Sequence, residues 1–142
     1  MKLEFHHVNL CTHDVPGLDT FYGDVLKQAP DPAMEPLRTV SDEIYDRKIT
    51  FRTDGNVGFH IAHTDHELGF RMGSGINPLA KGHIAFRTDD IEAFKKHLEA
   101  HGIPYADYGT TFSTSWYQIF FHDPAGTVVE VHQVVEGAAE GS

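Results

Sequence analysis

The chain has 142 residues, 40% of them apolar, which suffices for one domain with a real core and not for several. A formal net charge of −10 with no basic stripe speaks against nucleic acid or an anionic membrane as partner, and no apolar run approaches the ~20 residues of a membrane span. The single cysteine, Cys11, cannot form an internal disulfide, and Met1–Phe5 is strand-like rather than a signal-peptide core, so a cytoplasmic location is expected.

Leu3–Thr12 alternates with strand period, putting Leu3, Phe5, His7, Asn9 and Cys11 on one face. Asp14 caps a predicted helix in which Val15, Leu18, Phe21, Tyr22 and Val25 recur at spacings of three and four, with Pro16 in its first turn. Gln28–Pro32 reads as a turn region. Strands are expected near Leu37–Val40, Arg47–Arg52 and Val57–His63, the last two joined by a turn at Asp54-Gly55-Asn56. The polar, glycine-rich stretch His66–Leu79 reads as a linker or mobile flap. A strand then starts at His83, and Asp89 or Asp90 caps a helix carrying Ile91, Phe94, His97 and Leu98, which stops at Gly102. Strands follow at Pro104–Tyr108, Trp116–His122 and Thr127–Gln133, the last two joined by Asp123-Pro124-Ala125-Gly126. Glu136–Ser142 is expected to fray.

The halves repeat. His7-Val8-Asn9-Leu10-Cys11-Thr12-His13-Asp14 returns 76 residues later as His83-Ile84-Ala85-Phe86-Arg87-Thr88-Asp89-Asp90, and each copy runs into an Asp-started helix. The predicted fold is therefore α+β: two βαβββ modules, about 3–64 and 81–133, joined by a linker at about 65–80, followed by a tail at 134–142, and forming a cupped, barrel-like mixed sheet. Two such modules side by side bring matching strand positions together, and those positions hold His7, His60, His83 and Glu130. Imidazoles and a carboxylate suit one divalent metal ion (Zn, Ni, Co, Fe or Mn); two histidines and one carboxylate with open positions would favour non-haem Fe(II), while a fourth histidine widens the choice. Glu130 lies between Val128, Val129 and Val131, where a carboxylate is costly to bury without a cation or hydrogen bonds. His60-x-x-His63-x-x-His66 looks like a cluster, but alternation sends His60 and His63 to opposite faces, so a ligand followed by surface histidines is expected.

With these motifs the chain resembles the vicinal oxygen chelate superfamily, which groups glyoxalase I, extradiol dioxygenases, fosfomycin-resistance enzymes and bleomycin-binding proteins. The carriers are His7-Val8-Asn9-Leu10 with Asp14 and Phe21-Tyr22, Gly82-His83-Ile84-Ala85-Phe86 with Asp90, and Phe121-His122-Asp123-Pro124-Ala125-Gly126 leading to Glu130. The resemblance spans about residues 3–133 and implies metal ligands at His7, His83, Glu130 and His60, a small substrate that chelates the ion through two neighbouring oxygens, and a homodimer. It implies first a metal-dependent, glyoxalase-like lyase or isomerase working by proton transfer at Glu130, with His60 as ligand or partner. Glyoxalase I has glutamates at the positions held here by His60 and Glu130, and some glyoxalases carry a glutathione-binding arginine where this chain has Cys11. Arg87 holds the pseudo-equivalent place and is a candidate for gripping a substrate carboxylate, while Asn9, Trp116 and Tyr117 are candidates for lining the substrate site. An Fe(II)-dependent extradiol-type dioxygenase is the alternative, with His60 as its acid/base. A drug- or metabolite-binding protein is the second alternative, although bleomycin-binding relatives generally lack the ligands. Fosfomycin chemistry fits less well, since Asn9 stands where threonine is usual and no basic cluster follows Glu130.

Overall fold

The computed structural model describes residues 1–37 and 44–135. Eight strands among them form one open, curled sheet in the order β2-β3-β4-β1-β5-β8-β7-β6. The strands are β1 (Leu3–Thr12), β2 (Ala29–Pro30), β3 (Ile49–Thr53), β4 (Gly58–His63), β5 (Gly82–Thr88), β6 (Ala106–Gly109), β7 (Trp116–His122) and β8 (Val128–Val134). Each half contributes the same order read from the centre outward. β1 and β5 pair antiparallel at the middle, β4 runs parallel to β1, and β8 runs parallel to β5.

The register makes the repeat structural as well as sequential. Asn9 pairs with His60, and Ala85, its counterpart 76 residues on, pairs with Glu130. His60 and Glu130 therefore occupy equivalent places in the two halves. Because side chains alternate across a strand, His7, His60, His83 and Glu130 project from one face, while the helices cover the other.

The two helices expected after Asp14 and Asp90 begin where sequence chemistry says they should. Asp14 accepts from the Gly17 amide and Asp90 from the Ala93 amide, each at 3.0 Å, supplying an otherwise orphaned N–H with a partner. Helix α3 (Ile91–Ala100) lays Ile91, Phe94 and Leu98 on Ile119 and Val131, and ends at Gly102 with φ +68°. Its counterpart is shorter than expected: α1 covers Val15–Thr20, and Phe21–Val25 widens into a π turn with Leu26 N bonded to Phe21 O. An ion pair from Arg52 on β3 to Asp19, at 2.8 Å, ties that segment to the sheet.

Three stretches depart from expectation. The second strand of the first half is the two-residue Ala29–Pro30, within the stretch read as a turn; as an edge strand it tolerates a proline that cannot donate to a ladder. Leu37, the expected start of a strand to Val40, instead closes a 3-10 helix at Pro32–Leu37, and residues 38–40 lie outside the described residues, as does the tail from Glu136. The stretch read as a linker or flap holds helix α2 (Leu68–Met72) and is tied down: buried Asp65 pairs with Arg71, Asn77 donates to the Asp65 carbonyl at 2.8 Å, and the Tyr108 hydroxyl donates to Ile76 O at 2.7 Å. Leu68 and Leu79 pack with Ala62 and Phe120, closing one end of the site face.

At Gly82 the backbones of the two halves come close together. Its φ is +110°, and a Cβ there would lie 2.2 Å from the Asn9 carbonyl oxygen, whereas Gly55, at φ +100°, has open space around it. Gly82→Ala should therefore lower unfolding free energy by at least about 2 kcal/mol, and Gly55→Ala by about 1 kcal/mol, in urea titrations. Equal losses at the two positions would contradict the central β1–β5 contact.

Candidate metal centre

His7, His83 and Glu130 come together as the matched strands require. Each offers one ligand atom, all lying within 4.8 Å of one another, and all three residues are buried. His7 Nε2 is 3.7 Å and His83 Nε2 3.0 Å from Glu130 Oε1.

The hydrogens decide whether a cation fits. His83 Nδ1 lies 2.9 Å from the Pro78 carbonyl, which only accepts, so that nitrogen carries a hydrogen, and a ring with that one hydrogen leaves Nε2 bare. A bare nitrogen 3.0 Å from a carboxylate oxygen is repulsive unless a positive charge stands between them. His7 Nδ1 meets His6 Nδ1 at 2.7 Å; a hydrogen on His7 Nδ1, donated to His6, leaves His7 Nε2 bare as well. Two bare imidazole nitrogens and a carboxylate oxygen in a dry site are the donor set of a divalent ion of the Zn, Ni, Co, Fe or Mn group.

Burial sets the charges. It pulls His7 down to about 4, partly offset by the Glu130 charge, and pulls His6 to about 2. His60 is held well below the usual histidine value by burial and then by His7. Burial works against the charge of Glu130, but the imidazoles of His7, His132 and His83 around it outweigh burial, so its carboxyl stays well below the usual range.

His60 stands beside the triad rather than in it. Its ring stacks on His7 with centroids 3.6 Å apart, and its Nε2 is buried without a hydrogen-bond partner among the described residues. The site opens into a cavity of ≈ 100 Å³, walled by Met34, Phe51, Leu79, Phe112, Trp116 and Phe120. Asn9 lines it too, with its Oδ1 accepting from Cys11 Sγ at 3.3 Å. So does Gln118, whose Oε1 is buried and has no hydrogen-bond partner among the described residues.

The other residues singled out by sequence fall elsewhere. Tyr117 lies on the helix side, bonded to Lys95 and Asp107 at 2.6 Å each. Arg87 is on the site face but outside the cavity wall, its Nε donating to His132 Nε2 at 3.0 Å. His63 turns away from His60 toward His13, which also neighbours His66.

Two histidines escaped the sequence reading. A bulge between Phe5 and His7 inserts an extra residue, so His6 shares the site face and Phe5 moves to the helix side against Phe86, 5.6 Å between rings. The placement of Leu3 and Phe5 with His7 fails for that reason, and nothing in simple alternation signals a bulge. His132, fully buried, carried a signal that was passed over: it lies two residues beyond Glu130, on the same face of β8.

A family model described as the Glyoxalase/Bleomycin resistance protein/Dioxygenase superfamily matches residues 4–131, and the chain belongs to that superfamily. Among curated proteins no sequence matches it. Solved structures share its fold at low identity. Methylmalonyl-CoA epimerase from Mycobacterium tuberculosis aligns with TM-score 0.67 at 15% identity, over 93% of this chain and 88% of the other. A Streptomyces coelicolor methylmalonyl-CoA epimerase bound to 2-nitronate-propionyl-CoA gives 0.66 at 17%, over 93% and 97%. A hypothetical protein from Bacillus halodurans C-125 gives 0.64 at 16%, over 97% and 99%. Members of the superfamily generally hold a divalent metal, bind small molecules and commonly dimerise. No helix among the described residues is long and apolar enough to cross a membrane.

Metal-free protein should weaken in acid. The folded value for His7, about 4, lies below its ordinary 6.5, so its contribution is complete above pH 6.5 and is lost as pH falls toward 4. The lowered carboxyl of Glu130 acts in the same direction. Urea unfolding with chelator present should show a decline of up to about 3 kcal/mol over that window. Stability that stays flat would contradict a neutral, buried His7.

Proposed function

We propose that this protein is a metal-dependent lyase or isomerase that moves a proton on a small substrate bearing two neighbouring oxygens. The observation that carries this reading is the buried His7–His83–Glu130 group with the unpartnered His60 Nε2 beside it, at the floor of a mostly apolar cavity. Bound by that triad, a divalent ion would supply Lewis-acid polarisation of the two substrate oxygens. His7, His83 and Glu130 are the ligands in this proposal. His60, kept neutral by burial, has a bare nitrogen able to take a proton from carbon next to the polarised carbonyl and return it. Glu130 has both oxygens engaged, Oε1 toward His7 and His83 and Oε2 with His132 at 2.7 Å, which suits it to hold the ion while His60 carries the proton. Gln118 Oε1 is placed to accept from a substrate hydroxyl. The cavity's aromatic walls shelter the reacting carbon from water, and that suits a small substrate of modest polarity.

A second reading has its own observation. The atoms that cluster are two imidazoles and one carboxylate, with His60 outside, which is the ligand set of non-haem Fe(II) oxygenases. In that reading His60 is the acid/base of a ring-cleaving dioxygenase.

Solvent exchange separates the two. Protein reloaded with Zn, Ni, Co or Mn in D2O should wash deuterium into carbon α to the carbonyl of α-oxygenated ketones, hemithioacetals or 2-methyl-branched thioesters, followed by NMR. No exchange with any metal, together with O2 uptake on adding Fe(II) and a catechol, would replace the lyase or isomerase with the dioxygenase. His60→Ala should keep its metal and lose exchange by about 10²-fold or more, whereas Glu130→Gln should lose both. Full exchange in His60→Ala would remove the proton from that residue.

A further inference from the structure

The two halves put different chemistry behind equivalent positions. On the Glu130 side, Arg87 of β5 pairs in register with His132 of β8; on the His60 side the equivalent pair is Cys11 of β1 with Ala62 of β4. Arg87 Nε donates to His132 Nε2 at 3.0 Å, and His132 Nδ1 lies 2.7 Å from Glu130 Oε2. A guanidinium has no lone pair to offer, so His132 Nε2 must be the acceptor. The hydrogen of the neutral ring is then on Nδ1 and points at Glu130. Trp116 stacks flat on the His132 ring, centroids 3.9 Å apart and 8° between planes, and lies under the Arg87 guanidinium at 5.2 Å. Behind His60 stand Cys11 and Ala62 of the apolar cluster, and among the described residues its Nε2 has no hydrogen-bond partner.

From this asymmetry we propose that Arg87 and His132 are positioning residues that hold Glu130 as a one-oxygen metal ligand. The relay runs from Arg87 through a single tautomer of His132 to Oε2, and it leaves Oε1 alone facing His7 and His83. Arg87 thereby acts from behind the carboxylate, through His132, rather than on a substrate. Gene duplication supplied two equivalent strand ends; one acquired a braced carboxylate and the other an unbraced imidazole. The proposal rests on the metal-centre reading above, and it concerns ion binding alone.

Co(II) binding tests it, followed by calorimetry and by the visible ligand-field spectrum, with chelator-treated protein as the start. His132→Ala and Arg87→Met should each weaken Co(II) binding by about 10- to 100-fold and shift the spectrum. His132→Asn should restore affinity to within about threefold of the parent, because its amide N–H can stand where Nδ1–H stood, whereas His132→Gln, whose N–H reaches the other ring nitrogen's place, should behave like the alanine variant. Circular dichroism of each metal-free variant separates misfolding from lost binding, and if His132→Ala fails to fold the Arg87→Met, Asn and Gln variants carry the decision. Parent-like affinity and spectrum in Arg87→Met, or Asn and Gln variants that bind alike, would overturn the relay. Failure of the unmodified protein to bind Co(II) at all would instead overturn the metal centre on which it rests.

Discussion

A carboxylate sealed among imidazoles is the constraint around which the rest of this fold is arranged. Glu130 is 1% exposed in the middle of an apolar strand, and His7 beside it is equally hidden. Such a group, left without hydrogen bonds or a cation, costs several kcal/mol to bury. Every element near it reduces that cost. The central β1–β5 pair delivers His7 and His83, the Pro78 carbonyl fixes the His83 ring, the bulge at His6 gives His7 a partner, and His132 takes the far oxygen. A cation between the remaining lone pairs would complete the set.

The pseudo-two-fold sheet accounts for how residues so far apart in sequence meet, and the divergence of its halves accounts for their different parts. Equivalent positions carry His60 and Glu130, and their surroundings differ in kind: ring stacking and a bare nitrogen for one, a hydrogen-bonded brace for the other. In the proposed reading Glu130 is a ligand that must not move and His60 a base that must exchange its proton, and the two environments suit those parts respectively.

Much of this was legible in the chain. The repeated His-led strand, the Asp caps and the turn at Asp123–Gly126 mark the two-module repeat and its helix starts, and period-two alternation assigns His60 and His63 to different faces, as found. What sequence hides is geometry that breaks the period. The bulge moved Phe5 away from His7 and brought His6 in. Arg87 kept its expected face yet turned toward His132, because nothing in one strand reveals which neighbour a long side chain will meet across the sheet. The glycine-rich stretch before β5 gave no hint that Asp65 and Arg71 would pin it or that Pro78 would reach the site. Tyr117 was grouped with Trp116 although adjacent strand residues face opposite ways, and it lies on the helix side.

The metal content of freshly purified protein tests the central claim most directly. Elemental analysis should find about one divalent ion per chain, and none in Glu130→Ala purified alongside. A parent protein that is metal-free as isolated, and that takes up no Zn, Ni, Co, Fe or Mn on dialysis, would contradict it.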